Sequence, residues 1–255
     1  MRLGHFPENK FSSLLRPAFT IFVDKAYTMK KRILVVDDEA DILEILAFNL
    51  ENDGYRVDMA KSAEEALEKL SQDHALILLD IMMGGMSGYR MAEKLRKAGN
   101  PVPIIFLTAK DTENDMLTGF SVGGDDYISK PFSLKEVSAR VKAVLKRSPD
   151  TRSSETSRLV IENFVIDFQT KELLIDGISA ALTKTEFEVL ALLASNPNRI
   201  FSRDEMIDKL WKDTPYITER TVDVHITRLR KKMHDKGSWI SSRAGYGYRF
   251  NPEEQ

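Results

Sequence analysis

The chain contains no cysteine. That excludes disulfide scaffolds, thiolate zinc sites, iron–sulfur clusters and cysteine nucleophiles. It is compatible with a reducing compartment. No apolar run approaches the ~18 residues that a helix needs to cross a bilayer. The apolar stretch nearest the N-terminus, Ala18-Phe19-Thr20-Ile21-Phe22-Val23, sits behind Arg16-Pro17 and runs into Asp24-Lys25. A signal peptide requires a longer apolar core and a small-residue cleavage site, so residues 1–28 are not read as secretory. An excess of one charge is also missing: 37 Lys+Arg stand against 39 Asp+Glu, a net of −2. This excludes a chain that coats nucleic acid by bulk charge, but not one with a local basic face. Internal repeats and low-complexity tracts are absent too.

What is present is enough for a buried core. Of 255 residues, 42% are hydrophobic and 30% charged. At about 100–200 residues per domain, that length predicts two domains. From Lys30 to Arg147 the pattern alternates strand and helix. Ile33 to Val36, Ala75 to Leu79 and Ile104 to Leu107 are continuous apolar runs, as strands buried on both faces require. Helical periods alternate with the strands; Ser62-Ala63-Glu64-Glu65 opens one of them and Ser133-Leu134-Lys135-Glu136 opens the last, both reading as capping boxes. Five such units predict a doubly wound five-stranded parallel sheet of the flavodoxin type, with function at the carboxyl ends of the strands.

Residues 148–157 carry no apolar side chain except proline and read as a linker. Beyond them the pattern changes to α+β. Leu159 to Leu182 alternates as short antiparallel strands. Thr183-Lys184-Thr185-Glu186 caps a helix through Ala194, and Ser202-Arg203-Asp204-Glu205 caps a second through Trp211. A third helix runs from about Glu219 to Met233, and Trp239 to Phe250 reads as a hairpin.

The three long apolar runs end in Asp37-Asp38, Asp80 and Thr108, and the fifth strand leads to Lys130. In a doubly wound sheet these ends converge. Crowded carboxylates take up protons or bind a cation, and hard oxygen ligands with open positions suit Mg²⁺. A carboxylate beside Mg²⁺ is a competent nucleophile toward phosphorus, and Lys130 would neutralise phosphoryl oxygens. Each element alone is an ordinary cap or turn; their joint placement carries the functional reading. In the second half, Val222, Ile226, Leu229 and Met233 form one buried stripe on the third helix. Arg220, Thr221, Val224, His225, Arg228 and Lys232 occupy the outward side. A helix-turn-helix whose last helix enters a major groove fits this division. A solvated amphipathic helix is the bland alternative.

The stretches Val35-Val36-Asp37-Asp38-Glu39, Leu79-Asp80-Ile81-Met82-Met83, Thr108-Ala109 and Asp125-Asp126-Tyr127-Ile128-Ser129-Lys130-Pro131-Phe132 resemble the receiver domain of two-component response regulators, a CheY-like fold. The stretches Leu182 to Phe187, Ser202 to Glu205, Arg220 to Ile226 and Gly245 to Phe250 resemble the winged-helix effector of OmpR/PhoB-type regulators. The resemblance implies a receiver over 29–147 and a winged-helix DNA-binding domain over 158–255. It implies that Asp80 accepts a phosphoryl group from a sensor histidine kinase. Asp37, Asp38, Asp80 and the backbone carbonyl of Met82 would hold Mg²⁺. Lys130 would pair with the phosphoryl group, Thr108 and Tyr127 would form a switch pair, and the Lys130–Pro131 peptide would be cis.

The same resemblance implies that helix 219–233 reads promoter DNA at tandem half-sites, with Arg243 as a contact from the wing. Tyr246, Tyr248 and Phe250 are expected in the core. A phosphorylation-promoted homodimer would use Asp125, Asp126, Glu136, Arg140 and Arg147; ordinary solvated helix charge is the alternative for Asp125, Asp126, Arg140 and Arg147. RNA polymerase is a further candidate partner, and the expected location is cytoplasmic. A regulator, rather than an enzyme, is the expectation. The rivals are a DNA-binding protein indifferent to phosphorylation and a Mg²⁺-dependent aspartyl-phosphate enzyme.

The pattern departs from the family in two places. Gly84-Gly85-Met86-Ser87-Gly88 stands where Pro-Gly-Met-Asp-Gly is usual. Met116 stands where a basic partner for Glu136 is common. A receiver usually begins as Met29-Lys30-Lys31-Arg32-Ile33 does, so residues 1–28 are expected to be an upstream extension or a disordered tail.

Overall fold

Continuous apolar runs form the centre of a five-stranded parallel sheet. Strands β1 (Arg32–Val36), β2 (Arg56–Ala60), β3 (His74–Asp80), β4 (Ile104–Thr108) and β5 (Asp126–Ser129) lie in the order β2-β1-β3-β4-β5. Successive side chains of a strand face opposite sides, and the core divides accordingly. Ile33, Val35, Leu76 and Leu78 pack with Leu43, Leu46, Val137 and Val141 of helices α1 (Ala40–Asn52) and α5 (Leu134–Lys146). Leu34, Val36, Ile77 and Leu79 pack toward α2 (Ala63–Lys69), α3 (Gly88–Lys97) and α4 (Glu113–Val122). Layers on both faces make this the expected doubly wound α/β domain. The coordinates are a computed structural model and describe residues 30–109, 113–146, 158–212 and 217–252, without the side chains of 113–116 and 146. The expectations for residues 1–28, for the linker 148–157 and for Arg147 therefore lie outside the described residues.

The helix caps follow the sequence signals closely. Ser62 Oγ accepts from the Glu65 amide at 3.2 Å. The reciprocal half of that box differs, because the Glu65 carboxylate accepts from the Lys61 amide instead, at 2.7 Å. At Thr183 both halves of the box are made.

The second unit is α+β. Strands β6 (Arg158–Ile161), β7 (Phe164–Asp167), β8 (Glu172–Ile175) and β9 (Ile178–Ser179) form an antiparallel meander. Helices α6 (Lys184–Ala194), α7 (Arg203–Leu210) and α8 (Glu219–Lys232) follow, then a hairpin of β10 (Ile240–Arg243) and β11 (Gly247–Phe250). Phe201 pairs with Tyr248 through an isolated antiparallel bridge at the edge of the hairpin. Gly247 makes that approach possible: it has φ +130°, and a Cβ there would lie 2.0 Å from the Phe201 carbonyl oxygen. Val222, Ile226, Leu229 and Met233 are fully buried with Phe164, Trp211, Trp239 and Phe250 in one core. A 3₁₀ helix over His234–Trp239 replaces the start of the expected hairpin. Tyr248 and Phe250 are core residues as expected, but Tyr246 is 73% exposed at the hairpin turn. It stands beside Gly245 at the tip, where no strand alternation turns it inward. Among the described residues, no helix is long and apolar enough to cross a membrane.

Candidate functional site

The ends of β1 and β3 lie side by side in the sheet. Asp37, Asp38 and Asp80 therefore converge, and one carboxylate oxygen from each falls within 4.8 Å of the others. Asp37 is buried; one oxygen accepts from the Glu39 amide at 3.0 Å and the other from Lys130 Nζ at 2.8 Å. Asp38 is exposed and accepts from the Gly84 amide at 3.1 Å, which ties it to the loop after β3. Asp80 is buried, 3.5 Å from Lys130 Nζ. Among the described residues its Oδ1 is buried without a hydrogen-bond partner.

Burial pushes the Asp80 carboxyl above its usual range; Lys130 opposes this, and Asp37 adds to it. Burial alone would depress Lys130, but Asp37, Asp80 and Glu39 outweigh it and hold the ammonium above its ordinary value. A buried anion with an open oxygen, crowded by a second carboxylate, fits a hard cation. The loop that closes this pocket needs a glycine at its end. A Cβ on Gly88 would lie 2.2 Å from the Asp80 carbonyl oxygen. The departure at Gly84-Gly85-Met86-Ser87-Gly88 keeps that glycine and a helix cap, with Ser87 accepting from the Arg90 amide. Met82 lies in this loop with its side chain exposed.

Thr108 is buried at the end of β4, in register with Ser129. Tyr127 is buried on β5, its ring facing the surface of Gly119 on α4. The Lys130–Pro131 peptide is cis. Asp125 accepts from the Ile104 amide at 3.0 Å and from Arg96 at 3.3 Å. Asp126 accepts from Arg140 at 2.9 Å, and Arg140 also donates to Glu136 at 3.0 Å. Asp125, Asp126 and Arg140 are buried. The alternative of solvated charge fails for these three: each carries its neutralising partner inside the fold.

On α8 the expected outward side divides. Arg220 is exposed, and so is Arg243 on the hairpin. Thr221 and His225 are buried, while Val224, Arg228 and Lys232 are half-buried. His225 therefore does not face outward as expected. Its ring lies 5.6 Å from Phe120 of α4 and 5.4 Å from Trp211. Arg228 donates to the Phe120 carbonyl at 3.0 Å and pairs with Glu186 at 2.7 Å. Lys232 donates to Glu186 and to the Ala181 carbonyl, both at 2.7 Å. The helical period of α8 identified its own domain's core but could not register a second domain on the opposite side. Arg96 and Phe120 were not singled out in the sequence, and Glu186 only as the far end of a helix cap. Arg96 sits in the last turn of α3, where a cation reads as ordinary dipole compensation.

Glu186 lends itself to a pH test. Burial would raise its carboxyl, but Arg228 and Lys232 together hold it below the usual carboxylate range. A depressed folded value gives stability that is full above the unfolded value and is lost as pH falls through the folded one. Glu186→Gln is expected to cost about 3–5 kcal/mol at pH 7, because two cations lose their buried partner. The gap to wild type should narrow in acid. Urea midpoints at neutral and acidic pH measure it, and a gap independent of pH would contradict the assignment.

Residues 33–142 match the response regulator receiver domain family, and residues 177–250 match the family of the transcriptional regulatory protein C-terminal domain. The chain is similar over both halves to the transcriptional regulatory protein ResD of Bacillus subtilis (strain 168). The two are 38% identical over 233 residues, 88% of this chain and 97% of ResD. The chain belongs to the OmpR/PhoB-type response regulators. The regulator is also 40% identical to the transcriptional regulatory protein SrrA of Staphylococcus aureus (strain NCTC 8325 / PS 47), over 87% of this chain and 96% of SrrA. Among solved structures it is similar to a mutant of RitR, with TM-score 0.68 and 27% identity over 87% of this chain and 99% of that one. DrrB, described as a Thermotoga maritima OmpR/PhoB homolog, matches at 29% identity and TM-score 0.48 over 88% of this chain and all of DrrB. The regulator thus joins a receiver to a transcriptional regulatory domain, which implies a histidine kinase partner and binding to DNA.

Proposed function

We propose that Asp80 is the phosphoacceptor and that its phosphorylation controls how the effector domain engages promoter DNA. The observation that carries this is the buried, open Oδ1 of Asp80 inside the triangle of Asp37, Asp38 and Lys130. A carboxylate oxygen there attacks the phosphorus of a phosphohistidine donor, and the imidazole nitrogen leaves. Asp37, Asp38, Asp80 and the Met82 carbonyl are the proposed ligands of Mg²⁺, which when bound neutralises charge on the transferring phosphoryl oxygens. Lys130 holds a phosphoryl oxygen from the other side. Thr108 and Tyr127 are the proposed switch pair, both buried next to α4 or at the end of β4. Beyond accepting this group, the regulator is not proposed to be an enzyme. Incubation with a small acyl phosphodonor and Mg²⁺, followed by peptide mapping, tests the assignment. Label on Asp80 that slows in Asp38→Ala is expected; label on another residue contradicts it.

For DNA, the proposed contacts are Arg220, Val224, Arg228 and Lys232 on α8 in the major groove, with Arg243 on the hairpin; Thr221 and His225 are buried and are not among them. Arg220→Ala leaves the buried stripe intact and should weaken binding. A base contact there costs about 1–3 kcal/mol and relaxes preference at one position, whereas a phosphate contact weakens all sequences alike and flattens the salt dependence. Titration against a promoter fragment at two salt concentrations separates these, and wild-type affinity in the folded variant removes Arg220 from the interface. A homodimer through Asp125, Asp126, Glu136, Arg140 and Arg147, contact with RNA polymerase and a cytoplasmic location complete the proposal.

A further inference from the structure

The loop between β3 and α3 carries two adjacent exposed glycines, Gly84 and Gly85, beside the acidic pocket. Glycine loses more conformational freedom on ordering than any other residue. Neither glycine has a side chain to anchor the loop, so its position depends on what holds its backbone. We propose that Glu64 of α2 is a positioning residue for the phosphoryl site: it fixes this loop and, through the loop, Asp38 and the Met82 carbonyl. The proposal rests on the roles given above to Asp37, Asp38, Asp80 and Met82.

The contacts of the loop carry it. Glu64 Oε1 accepts from the Met86 amide at 3.2 Å. The same carboxylate lies against Gly85, where a Cβ would meet Oε1 at 3.5 Å and Oε2 at 3.7 Å. On the other side, the Gly84 amide donates to Asp38 Oδ2 at 3.1 Å. The loop is therefore strung between two carboxylates, Asp38 at the pocket and Glu64 on α2, with Gly85 turning between them at φ +85°. A proline at 84 would have no amide to offer Asp38. Downstream the chain is already fixed: Gly88 donates to the Ile81 carbonyl at 3.2 Å, and Ser87 caps α3. The stretch from Met82 to Gly85 is what the Glu64 contact steadies.

The Glu64 carboxyl is held below the usual carboxylate range by its own amide first, then by the Met86 amide, Ser62 and Lys94 of α3, which together outweigh desolvation. It is an anion at neutral pH, and hydrogen bonds to an ionised acceptor are stronger than neutral ones. Mg²⁺ demands near-ideal octahedral geometry. Ligands already held in place bind it more tightly than ligands that must first be ordered. Loosening the loop at Met86 frees Gly84, and with it both Asp38 and the Met82 carbonyl. Glu64 also lies in the first turn of α2, where any carboxylate favours the helix dipole. Glutamine separates the two roles, because it keeps the acceptor oxygen and loses the charge.

The full-length protein has 13 glycines, so isotopically labelled glycine gives few amide signals, and Gly84 is identified by its loss in Gly84→Ala. Glu64 is exposed, and its substitution leaves the receiver core intact. Amide exchange with solvent is measured without Mg²⁺ and without phosphodonor, so this arm does not depend on the assignment of Asp80. Glu64→Ala should accelerate exchange at Gly84 about three- to tenfold, the effect of one lost hydrogen bond. Gly54 and Gly99, whose amides are bonded in other receiver turns, should not change. Glu64→Gln should stay close to wild type. Unchanged exchange at Gly84 in Glu64→Ala overturns the proposal. Equal acceleration in both variants also overturns it and leaves Glu64 a helix charge; acceleration at Gly54 and Gly99 alike overturns it in favour of a role in overall stability. Titration with Mg²⁺ on the same signals then reads the site. Glu64→Ala should need about three- to tenfold more Mg²⁺ for half-saturation. Its rate of phosphate uptake from an acyl phosphodonor should return to the wild-type value at saturating Mg²⁺. A loosened loop with wild-type Mg²⁺ demand overturns the positioning role alone. A wild-type protein whose glycine signals ignore Mg²⁺ and whose Asp80 takes no label overturns the function proposed above, and this inference with it.

Discussion

Asp80→Asn is expected to reduce phosphoryl incorporation to background. An amide is not a comparable nucleophile toward phosphorus, and it brings no charge to a Mg²⁺ site. The substitution should leave the receiver folded. Asp80 ends β3, buried close to Asp37, and its surroundings already disfavour its charge. A neutral side chain of the same shape removes that disfavoured charge and keeps the packing of Leu78 and Leu79 in the sheet. The loss therefore belongs to chemistry and not to stability. Intact mass after treatment with an acyl phosphodonor measures incorporation, and circular dichroism checks the fold. Acid-stable, base-labile phosphate appearing in the variant at the wild-type rate would move the nucleophile elsewhere.

Ile226→Asp is expected to unfold the effector domain while sparing the receiver. Ile226 is fully buried in the effector core. An aspartate there either ionises without a partner or takes up a proton, and either costs several kcal/mol. The lost packing of a buried isoleucine adds roughly 2–5 kcal/mol. Together these consume much or all of the roughly 5–15 kcal/mol typical of a domain. The receiver core is built from different residues, centred on β1, β3 and β4. The variant should thus lose DNA binding and the effector's unfolding transition, yet still take up phosphate on Asp80. Retention of DNA binding would show that α8 does not carry the effector core.

The receiver was legible because its strands are buried on both faces. Val35-Val36 and Leu78-Leu79 need no knowledge of their neighbours to read as interior strands, and each run ends at the residue that the parallel sheet then brings to one edge. Asp37, Asp38, Asp80 and Lys130 follow from that topology alone. The helix starts at Ser62, Thr183 and Ser202 were legible for a local reason: a cap is a contact across three residues, readable as a spacing. Its limit shows at Glu65, which turns to the Lys61 amide.

Relations between domains were not legible. The period of α8 assigns Val222, Ile226, Leu229 and Met233 to the interior of their own domain. It leaves His225 and Arg228 facing out, and cannot say whether water or another helix lies there. The burial of His225 against Phe120 depends on two segments more than 100 residues apart that share no pattern. Arg140 is similar. It reads as a dimer-interface residue or a solvated helix charge until β5 places Asp126 against it. Tyr246 failed for a smaller reason. Tyr246, Tyr248 and Phe250 share a parity, but parity assigns a face only within a strand, and Tyr246 lies in the turn before β11 begins.

Control of DNA binding through Asp80 is tested most directly by titrating the full-length regulator against promoter DNA with and without an acyl phosphodonor and Mg²⁺. Asp80→Asn is run in parallel. Phosphorylation should tighten wild-type binding by about tenfold or more, within the roughly 1–3 kcal/mol typical of coupling between sites, and should leave the variant unchanged. Equal wild-type affinity with and without the donor, at confirmed occupancy of Asp80, would contradict the account and describe a DNA-binding protein indifferent to its own receiver.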